Sequence, residues 1–209
     1  MLETKSNATV SRVAPNARMT WDEFLEWCDE DTHAEWVNGE IVMNAPASDT
    51  HQDLADFLIA ILRPYVRRKN LGWVRTAPFL MRLPNTPSGR EPDLLFVRQE
   101  NLARVKPTFL DGPADLVVEI ISPESIGRDR GEKFIEYEQA GVAEYWLIDP
   151  LRQRAEFYQR DPQGIYRLVE PDAQGVYRSR RVDGFWLRVA WLWQDPLPLE
   201  EDVLREIRG

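Results

Sequence analysis

The segment LVVEII at residues 116–121 carries more information about the fold than any other stretch of the sequence. Its apolar residues would lie on both faces of an extended chain, which is typical of a central strand covered on both sides. A helical segment follows from about residue 128 to residue 140, and Gly141 closes it as a C-terminal cap. The apolar segment EYWLI at residues 144–148 predicts a second buried strand. A strand, a helix and a strand in this order form a crossover unit, so we expect the two strands to be parallel.

Upstream of this unit, the sequence predicts two helices and a hairpin. Thr20-Trp21-Asp22-Glu23 is a capping-box pattern in front of an apolar run, which indicates the start of a short helix. Asn38-Gly39 lies between apolar stretches and predicts a hairpin, because both residues tolerate the positive φ of a type I′ turn. Ser48 or Asp49 can cap a longer helix, in which Pro64 indicates a kink or a break.

The remaining segments complete a mixed pattern of helices and strands. They are residues 73–83 as one or two strands, 84–89 as a turn, 93–97 as a buried strand, 101–112 as a connection, 155–158, 166–169 and 176–180 as an antiparallel meander, and 199–207 as a final short helix. We therefore predict an α/β fold with a mixed central β-sheet flanked by helices and a β-rich C-terminal extension. A flexible leader at residues 1–18 and a single domain at residues 19–209 complete the predicted organisation.

Composition narrows the class of protein. Hydrophobic residues make up 43% of the chain, which is enough for a sizeable core. Cys28 is the single cysteine, which excludes an intramolecular disulfide and a cysteine-based zinc site within one chain, and fits a reducing cytosol. The sequence has neither the roughly 20 apolar residues of a membrane helix nor the apolar run of a secretory signal at its N-terminus. We therefore expect a cytoplasmic protein with no membrane partner.

The charge balance argues against a general nucleic-acid binder. The chain has 26 basic and 35 acidic residues and a net charge of −9, whereas such proteins usually present a basic field. Local basic clusters at residues 63–69 and 178–181 can still hold phosphates. A solvated charged surface is the simpler interpretation of either cluster taken alone.

Two carboxylates in apolar strands are the strongest chemical signal. Asp93 opens one predicted strand and Glu119 lies within another, where a lone carboxylate is costly unless it is paired or bound to a metal. If the two strands are neighbours, the side chains converge on an oxygen-rich site that suits Mg²⁺ or Mn²⁺ better than zinc. Lys133 in the following helix can reach this site to hold an attacking water or to offset charge on a phosphate. These parts suffice for hydrolysis of a phosphodiester.

Each of these residues also has a structural interpretation. Glu119 and Lys133 can form a buried salt bridge that has the same geometry as the chemical site. Glu35, next to the hairpin turn, is either a further metal ligand or water-holding group, or a cross-strand partner for a basic side chain. His51 lies either at the mouth of a cleft or at a helix start as a capping or surface residue. Tyr137 follows Lys133 by four residues on the same helix face, which favours a packing or supporting role.

The order of these motifs resembles that of a known family of nucleases. Pro92-Asp93 and the segment at residues 115–123 are similar to the PD-(D/E)xK nuclease superfamily. The segments at 131–137 and 141–150 narrow the resemblance to a widespread bacterial family of restriction endonucleases, mostly of unknown biological role. The hairpin at residues 35–40 and the histidine in the next helix fit the same family, and the resemblance covers roughly residues 20 to 190.

The resemblance implies a restriction-endonuclease-like fold and a set of site residues. Asp93 and Glu119 would bind Mg²⁺ or Mn²⁺. The superfamily pattern places a lysine two residues after the glutamate, where this chain has Ile121, so the resemblance implies that Lys133 has taken over the lysine role. Glu35 would assist catalysis. The accessory candidates are His51, Tyr137 and the backbone carbonyl of Ile120.

The sequence leaves three functions open. The first is a Mg²⁺- or Mn²⁺-dependent endonuclease that acts on DNA. The second is a catalytically inactive, dimeric interaction module with a nuclease fold, which the acidic net charge and Ile121 favour. The third is a metal-dependent hydrolase of smaller phosphate esters. We expect a homodimer, because cutting two strands calls for two sites and symmetric dimers are the commonest oligomers.

Overall fold

The computed structural model describes residues 18–29, 32–83, 85–123 and 125–209. The predicted leader at residues 1–18 lies outside these residues except for its last position. The helices are α1 (Trp21–Trp27), α2 (Asp49–Lys69), α3 (Lys133–Ala140) and α4 (Glu200–Arg208), with 3₁₀ turns at Gln99–Arg104 and Val189–Trp193 and a π turn at Arg128–Glu132. The strands are β1 (Ala34–Val37), β2 (Glu40–Met43), β3 (Gly72–Thr76), β4 (Leu80–Leu83), β5 (Ser88–Arg90), β6 (Leu94–Arg98), β7 (Phe109–Asp111), β8 (Leu116–Ile120), β9 (Glu144–Asp149), β10 (Arg154–Arg160), β11 (Tyr166–Leu168), β12 (Val176–Arg178) and β13 (Trp186–Arg188).

The central sheet is mixed and has the strand order β11-β10-β9-β8-β6-β3. β8 and β9 are parallel, as the crossover unit predicts, and β6 pairs with β8 in the antiparallel direction. Both faces of the sheet are buried. On one face Val118 and Trp146 pack against α2 and α4, and on the other Val117 and Leu147 pack against α3. The predicted α/β class with a mixed sheet flanked by helices is therefore confirmed.

A second sheet holds the N-terminal hairpin beside the central sheet. Its strand order is β2-β1-β5-β4-β7, and Asn38 and Gly39 have the positive φ values of 52° and 86° that the hairpin prediction requires. Trp36 of β1 lies opposite Gly89 of β5. A Cβ atom at Gly89 would lie 2.0 Å from Cζ3 of Trp21, so glycine is needed for α1 to pack on this sheet. The sheet thus brings β1 and β5 together as neighbours.

The two N-terminal helices begin where the sequence predicts. The Thr20 side chain and Glu23 form the capping box of α1, and the Ser48 side chain accepts a hydrogen bond from the backbone N of His51 at the start of α2. α2 continues through Pro64, so the predicted break is wrong. Proline removes one helical hydrogen bond, but Pro64 is exposed and the buried apolar face of α2 stabilises the helix on both sides of it. No helix of the described ranges is long and apolar enough to cross a membrane.

Short strands account for the errors in the predicted element list. Residues 73–83 form two strands that belong to different sheets, and the turn predicted at 84–89 gives way to β5 at Ser88. The predicted connection at 101–112 contains β7, which pairs with β4 in the parallel direction. The predicted meander stops at β11, because β12 pairs with β13 in a separate ribbon. Strands of three residues are too short to show a clear alternation of apolar and polar positions.

A buried carboxylate of the central sheet accepts hydrogen bonds from β12 and from the segment that follows it. Glu144 of β9 is fully buried, and its Oε1 accepts hydrogen bonds from Trp146 Nε1 at 2.7 Å and Tyr177 OH at 2.8 Å. Its Oε2 accepts from Ser179 Oγ at 3.1 Å and from the backbone N of Arg180 at 2.9 Å and of Arg181 at 3.0 Å. All the groups around this side chain donate hydrogen bonds, and only a carboxylate has an acceptor at both terminal positions.

We expect Glu144→Gln to destabilise the protein by about 2–3 kcal/mol. The amide NH₂ must replace one oxygen, and in either orientation it faces an indole or backbone N–H that cannot turn away. The measurement is the free energy of unfolding from urea titration. Glu170→Gln, at an exposed position, is the matched control and should change it by less than about 0.5 kcal/mol. Equal effects of the two variants would show that the hydrogen bonds to Glu144 are unimportant.

Candidate active site

Asp93 and Glu119 face each other across neighbouring strands. The register pairs Leu94 with Val118, so the preceding and following residues, Asp93 and Glu119, are opposite each other at the end of the β6–β8 pair. Asp93 Oδ2 accepts a hydrogen bond from the backbone N of Ile120 at 2.6 Å and lies 3.2 Å from Nε2 of His51. No described residue donates a hydrogen bond to Oδ1 of Asp93. This oxygen is therefore free to bind a ligand.

His51 contacts the site from the first turn of α2. Burial lowers the pKa of its imidazole, but the hydrogen bond and the charge of Asp93, together with the backbone of Ile120, raise the pKa above its ordinary value. The structure therefore favours the cleft position of His51 over a purely surface role. Its contact holds one oxygen of the aspartate and fixes the direction of the other.

Glu119 is buried between β8 and α3 and is held by two residues of that helix. Lys133 Nζ donates to Oε2 at 3.0 Å, and Tyr137 OH donates to Oε1 at 2.7 Å. Burial raises the pKa of Glu119 well above its ordinary value, and the nearby Asp129, Asp93 and Glu35 raise it further, while Lys133 lowers it. Burial and the same glutamate raise the pKa of Tyr137, so the phenol stays a proton donor.

Lys133 lies among three carboxylates. Its Nζ is 3.0 Å from Glu119 Oε2, 3.2 Å from Glu35 Oε1 and 3.3 Å from Asp129 Oδ1. Burial lowers the pKa of the ammonium, but these carboxylates raise it well above its ordinary value, so the group is charged. Asp129 Oδ1 is at ion-pair distance but makes no hydrogen bond to any described residue. Asp129 could not be predicted as a site residue, because the sequence indicates a regular helix from about residue 128, whereas Asp129 lies in a π turn that changes the direction of its side chain.

Arg90 is the second residue that the sequence analysis missed. It is 0% exposed, and its Nη1 donates to Glu35 Oε2 at 2.9 Å. Its Nε and Nη2 donate to the two oxygens of Glu136, each at 2.8 Å. Burial alone would raise the pKa of Glu35, but Lys133 and Arg90 lower it, so Glu35 is ionised. Glu35 is thus the cross-strand partner of a basic side chain and also a contact of Lys133.

A cleft of about 760 Å³ opens over these groups. Asp93, Glu119 and Lys133 lie in its wall together with His51 and Ile120, so every residue of the predicted trio borders one space. Tyr137 and Glu35 support the trio from behind, through their contacts with Glu119 and Lys133. The arrangement is an acidic site with one buried ammonium, open to ligands on one side.

The residues of this site fit a divalent cation in their chemistry. Within the described ranges, no group of three or more His, Cys, Asp or Glu side chains is already arranged around an ion position. The ammonium of Lys133 instead draws Glu35, Glu119 and Asp129 towards itself. Lys133 and Arg90 together do not balance these three carboxylates and Asp93, because Arg90 also pairs with Glu136. In addition, an oxygen of Asp129 and an oxygen of Asp93 lack hydrogen bonds to described residues. Hard oxygen ligands with excess negative charge suit Mg²⁺ or Mn²⁺.

Comparisons with known proteins identify the family of the chain and agree with its fold. The sequence model of the family Uma2, described as "Putative restriction endonuclease", matches residues 21–190. No curated protein matches the chain. The chain is similar to the crystal structure of a protein from Anabaena variabilis ATCC 29413, described as a putative nuclease belonging to DUF820. The TM-score is 0.70 and the identity 19%, over 84% of this chain and 97% of that one. This likeness shows a shared fold.

Proposed function

Because the chain belongs to the Uma2 family of restriction-endonuclease-like proteins, we propose that it is a Mg²⁺- or Mn²⁺-dependent endonuclease that hydrolyses phosphodiester bonds in DNA. The observation that carries the proposal is the convergence of three groups in one cleft. Asp93 and Glu119 lie opposite each other on adjacent strands, and Lys133 Nζ lies 3.0 Å from Glu119. An ordinary buried ion pair does not need an opposing aspartate with a free oxygen.

In this proposal Asp93 and Glu119 hold the metal ion, with the backbone carbonyl of Ile120 as a further ligand. When bound, such an ion lowers the pKa of water and polarises a phosphoryl oxygen. His51 fixes Asp93, and Tyr137 fixes Glu119, through the hydrogen bonds at 3.2 Å and 2.7 Å. These contacts keep the oxygens in place before a substrate binds, which is how supporting residues assist metal sites.

Lys133 acts as a donor and not as a base, because its surroundings keep it protonated. Its Nζ lies within ion-pair distance of three carboxylates but donates a hydrogen bond only to Glu119, and Asp129 Oδ1 has no hydrogen bond to any described residue. We infer that a remaining N–H of Lys133 turns to water or to a phosphate oxygen when substrate binds. During hydrolysis a water oxygen bonds to phosphorus as the ester P–O bond breaks, and the departing oxygen takes up a proton that water releases. The ammonium stabilises the negative charge on the phosphate during this step.

Glu35 and Arg90 position Lys133. Glu35 Oε1 lies 3.2 Å from Lys133 Nζ and accepts a hydrogen bond from the backbone N of Glu91 at 3.2 Å, while its Oε2 accepts from Arg90 Nη1 at 2.9 Å. Glu35 is therefore fixed at both oxygens and cannot turn away from Lys133. This supports the assisting role that the sequence analysis gave to Glu35, but as a positioning residue and not as a metal ligand.

A catalytically inactive module is the second candidate. It is favoured by the position of Lys133, whose ammonium already occupies the space among Glu35, Glu119 and Asp129. A homodimer is part of both candidates. Hydrolysis of smaller phosphate esters is a third, because a cleft of about 760 Å³ is also within the usual size of small-molecule sites.

Plasmid cleavage and metal binding test the proposal. The wild-type protein should nick or linearise plasmid DNA with Mg²⁺ or Mn²⁺ and lose this activity in EDTA. Asp93→Asn keeps an acceptor for the backbone N of Ile120 but removes a charged metal ligand, so it should abolish cleavage and weaken Mn²⁺ binding in calorimetry. Asp53→Ala, an exposed acid on α2, is the control and should cleave as the wild type does.

Each contrary result has a definite meaning. Cleavage that survives Asp93→Asn would contradict the site assignment. A wild-type protein that binds neither Mn²⁺ nor DNA would favour the inactive module. Faster hydrolysis of mononucleotide esters than of plasmid DNA would favour the small-ester hydrolase. Size-exclusion chromatography with light scattering tests the homodimer independently of these assays.

A further inference from the structure

Two arginines of the cleft have no ion-pair partner among the residues that the structure describes. Arg63 of α2 and Arg128 of the π turn both line the cleft and are half-buried. The Nε atom of each is buried and makes no hydrogen bond within the part of the chain that the structure describes. No described carboxylate forms an ion pair with either guanidinium, whereas Arg90 and Arg130 each contact at least two carboxylates.

This lack of partners is informative in an acidic protein. The chain has 35 acidic residues and 26 basic ones, so carboxylates are abundant. A half-buried guanidinium without an acceptor is costly, because its N–H groups lose water without gaining hydrogen bonds. An anionic ligand from outside would supply the acceptors, and guanidinium groups bind phosphate in a planar, two-pronged way.

Arg75 adds to the positive charge near Arg63. It lies on β3, where its guanidinium carbon is 3.2 Å from the centroid of the Trp73 ring and its Nη1 donates to the backbone O of Val74 at 3.1 Å. Burial lowers the pKa of Arg75, and the positive charge of Arg63 lowers it further. A phosphate bound at Arg63 would offset the charge of both groups.

The wall of the cleft is long. One face of α2 lines it from His51, which contacts Asp93, to Arg63. At 1.5 Å per residue these two positions are about 18 Å apart along the helix. Nucleotides rise by about 3.4 Å each along the axis of B-form DNA, and successive phosphates of one strand are about twice as far apart, so the distance corresponds to about three nucleotides. A single phosphate ester cannot contact both ends of this wall.

We propose that Arg63 and Arg128 bind backbone phosphates of a polynucleotide strand that lies along α2, with Arg63 about three nucleotides from the phosphate at Asp93. The inference rests on the proposed function, because it takes the trio as the place where the strand is cut. It names the substrate as a chain of several nucleotides and not as a mononucleotide. The arginines bind phosphates and not bases, so they act on every sequence alike.

DNA binding in EDTA tests the inference apart from catalysis. The probes are a fluorescein-labelled 20-base-pair duplex and a labelled tetranucleotide, and the readout is fluorescence anisotropy over a range of salt concentrations. We expect Arg63→Gln and Arg128→Gln each to weaken duplex binding by about tenfold. Each should also reduce the slope of log K against log salt by about one. Arg63→Lys keeps the charge and should lie between wild type and Arg63→Gln.

Two controls make the result specific. Arg68→Gln removes an exposed arginine of the same helix, roughly 140° around its axis from Arg63, and should bind as the wild type does. The tetranucleotide has three phosphates between its nucleotides, one fewer than are needed to extend from Asp93 to Arg63, so Arg63→Gln should not change its binding. Circular dichroism melting shows whether each variant is folded.

The outcomes separate the inference from the proposed function. Duplex binding that neither Arg63→Gln nor Arg128→Gln weakens would overturn the inference, and so would equal losses for the duplex and the tetranucleotide. A wild-type protein that does not bind the duplex at low salt would also overturn it. Binding that depends on both arginines, without cleavage in Mg²⁺ or Mn²⁺, would support the inference and contradict the proposed endonuclease.

Discussion

Replacing Lys133 with methionine is expected to abolish DNA cleavage and to destabilise the fold. The ammonium is the one described cation within ion-pair distance of Glu119 and Asp129, and it also contacts Glu35. Without it, charge on the phosphate loses its nearest donor, which should lower the cleavage rate by about a thousandfold. Three buried carboxylates would then repel one another, which should lower the free energy of unfolding by about 3–5 kcal/mol at pH 7.

The pH dependence of this loss follows from the pKa shifts. The pKa of Lys133 is raised in the folded protein, so its contribution to stability is complete below the ordinary lysine pKa and is lost as the pH rises through the folded value. The pKa of Glu119 is raised by burial and would rise further without Lys133. The folded variant then takes up protons more readily than the unfolded chain, so its stability improves as the pH falls. The difference in the free energy of unfolding between wild type and variant should be largest at neutral pH and should become smaller in acid.

The measurements are urea titrations between pH 4 and pH 9 and plasmid cleavage at a temperature where the variant is folded. Lys133→Met combined with Glu119→Gln is the informative control, because it removes the buried charge that the single variant leaves unpaired. The double variant should recover part of the lost stability and none of the activity. A single variant that is as stable as the wild type at pH 7 would contradict the buried ion-pair cluster. One that still cleaves would remove Lys133 from the proposed mechanism.

The trio of Asp93, Glu119 and Lys133 could be predicted because its signals are local. A carboxylate inside an apolar strand is conspicuous in the sequence, and strand alternation places Glu119 on one face whatever its neighbours are. The register of β6 against β8, which sets Asp93 opposite Glu119, could only be assumed. The family resemblance was needed for Lys133, since a lysine near the start of a helix is usually exposed.

Arg90 and Asp129 could not be predicted, for two different physical reasons. Arg90 belongs to a three-residue strand between two turns, and its partners Glu35 and Glu136 lie far away in the sequence. Asp129 lies in a π turn, where the wider spacing changes which side chains share a face. Contacts across sheets and irregular turns depend on tertiary packing, which a pattern along the chain does not contain. The predicted helix over residues 128–140 has the observed extent, but its first turn is a π turn and not an α-helical one.

Arg90→Met is expected to cause the largest loss of stability outside the trio. The guanidinium is 0% exposed and joins Glu35 of β1 to Glu136 of α3, so it connects the second sheet to the helix that carries Lys133. Methionine fills much of the same volume but leaves Glu35, itself 1% exposed, without its strongest partner. Breaking a buried pair on one side costs about 3–5 kcal/mol, because the remaining charge is unpaired.

The sign of the pH effect differs from that of a simple packing defect. In the wild type the pKa of Glu35 is lowered, so its ionised form stabilises the fold above the ordinary glutamate pKa, and this stabilisation is lost as the pH falls through the folded value. Without Arg90, Glu35 loses one of the two cations that lower its pKa, so its pKa rises above the value in the wild type. The destabilisation caused by Arg90→Met should therefore be large at pH 7 and shrink below about pH 4.5. A cavity would lower stability equally at both pH values.

Arg82→Met is the matched control for Arg90→Met. Arg82 lies on the neighbouring strand β4 and pairs with Asp111 at 3.7 Å, but both side chains are about 40% exposed. An exposed pair of this kind contributes roughly 0–1 kcal/mol, so the control should stay close to the wild type. Urea titration at pH 7 and pH 4 measures both variants. The contrary result is that Arg90→Met lowers the free energy of unfolding no more than Arg82→Met does. In that case water must solvate Glu35 in the variant, and the contacts of Arg90 with β1 and α3 are not what positions Lys133.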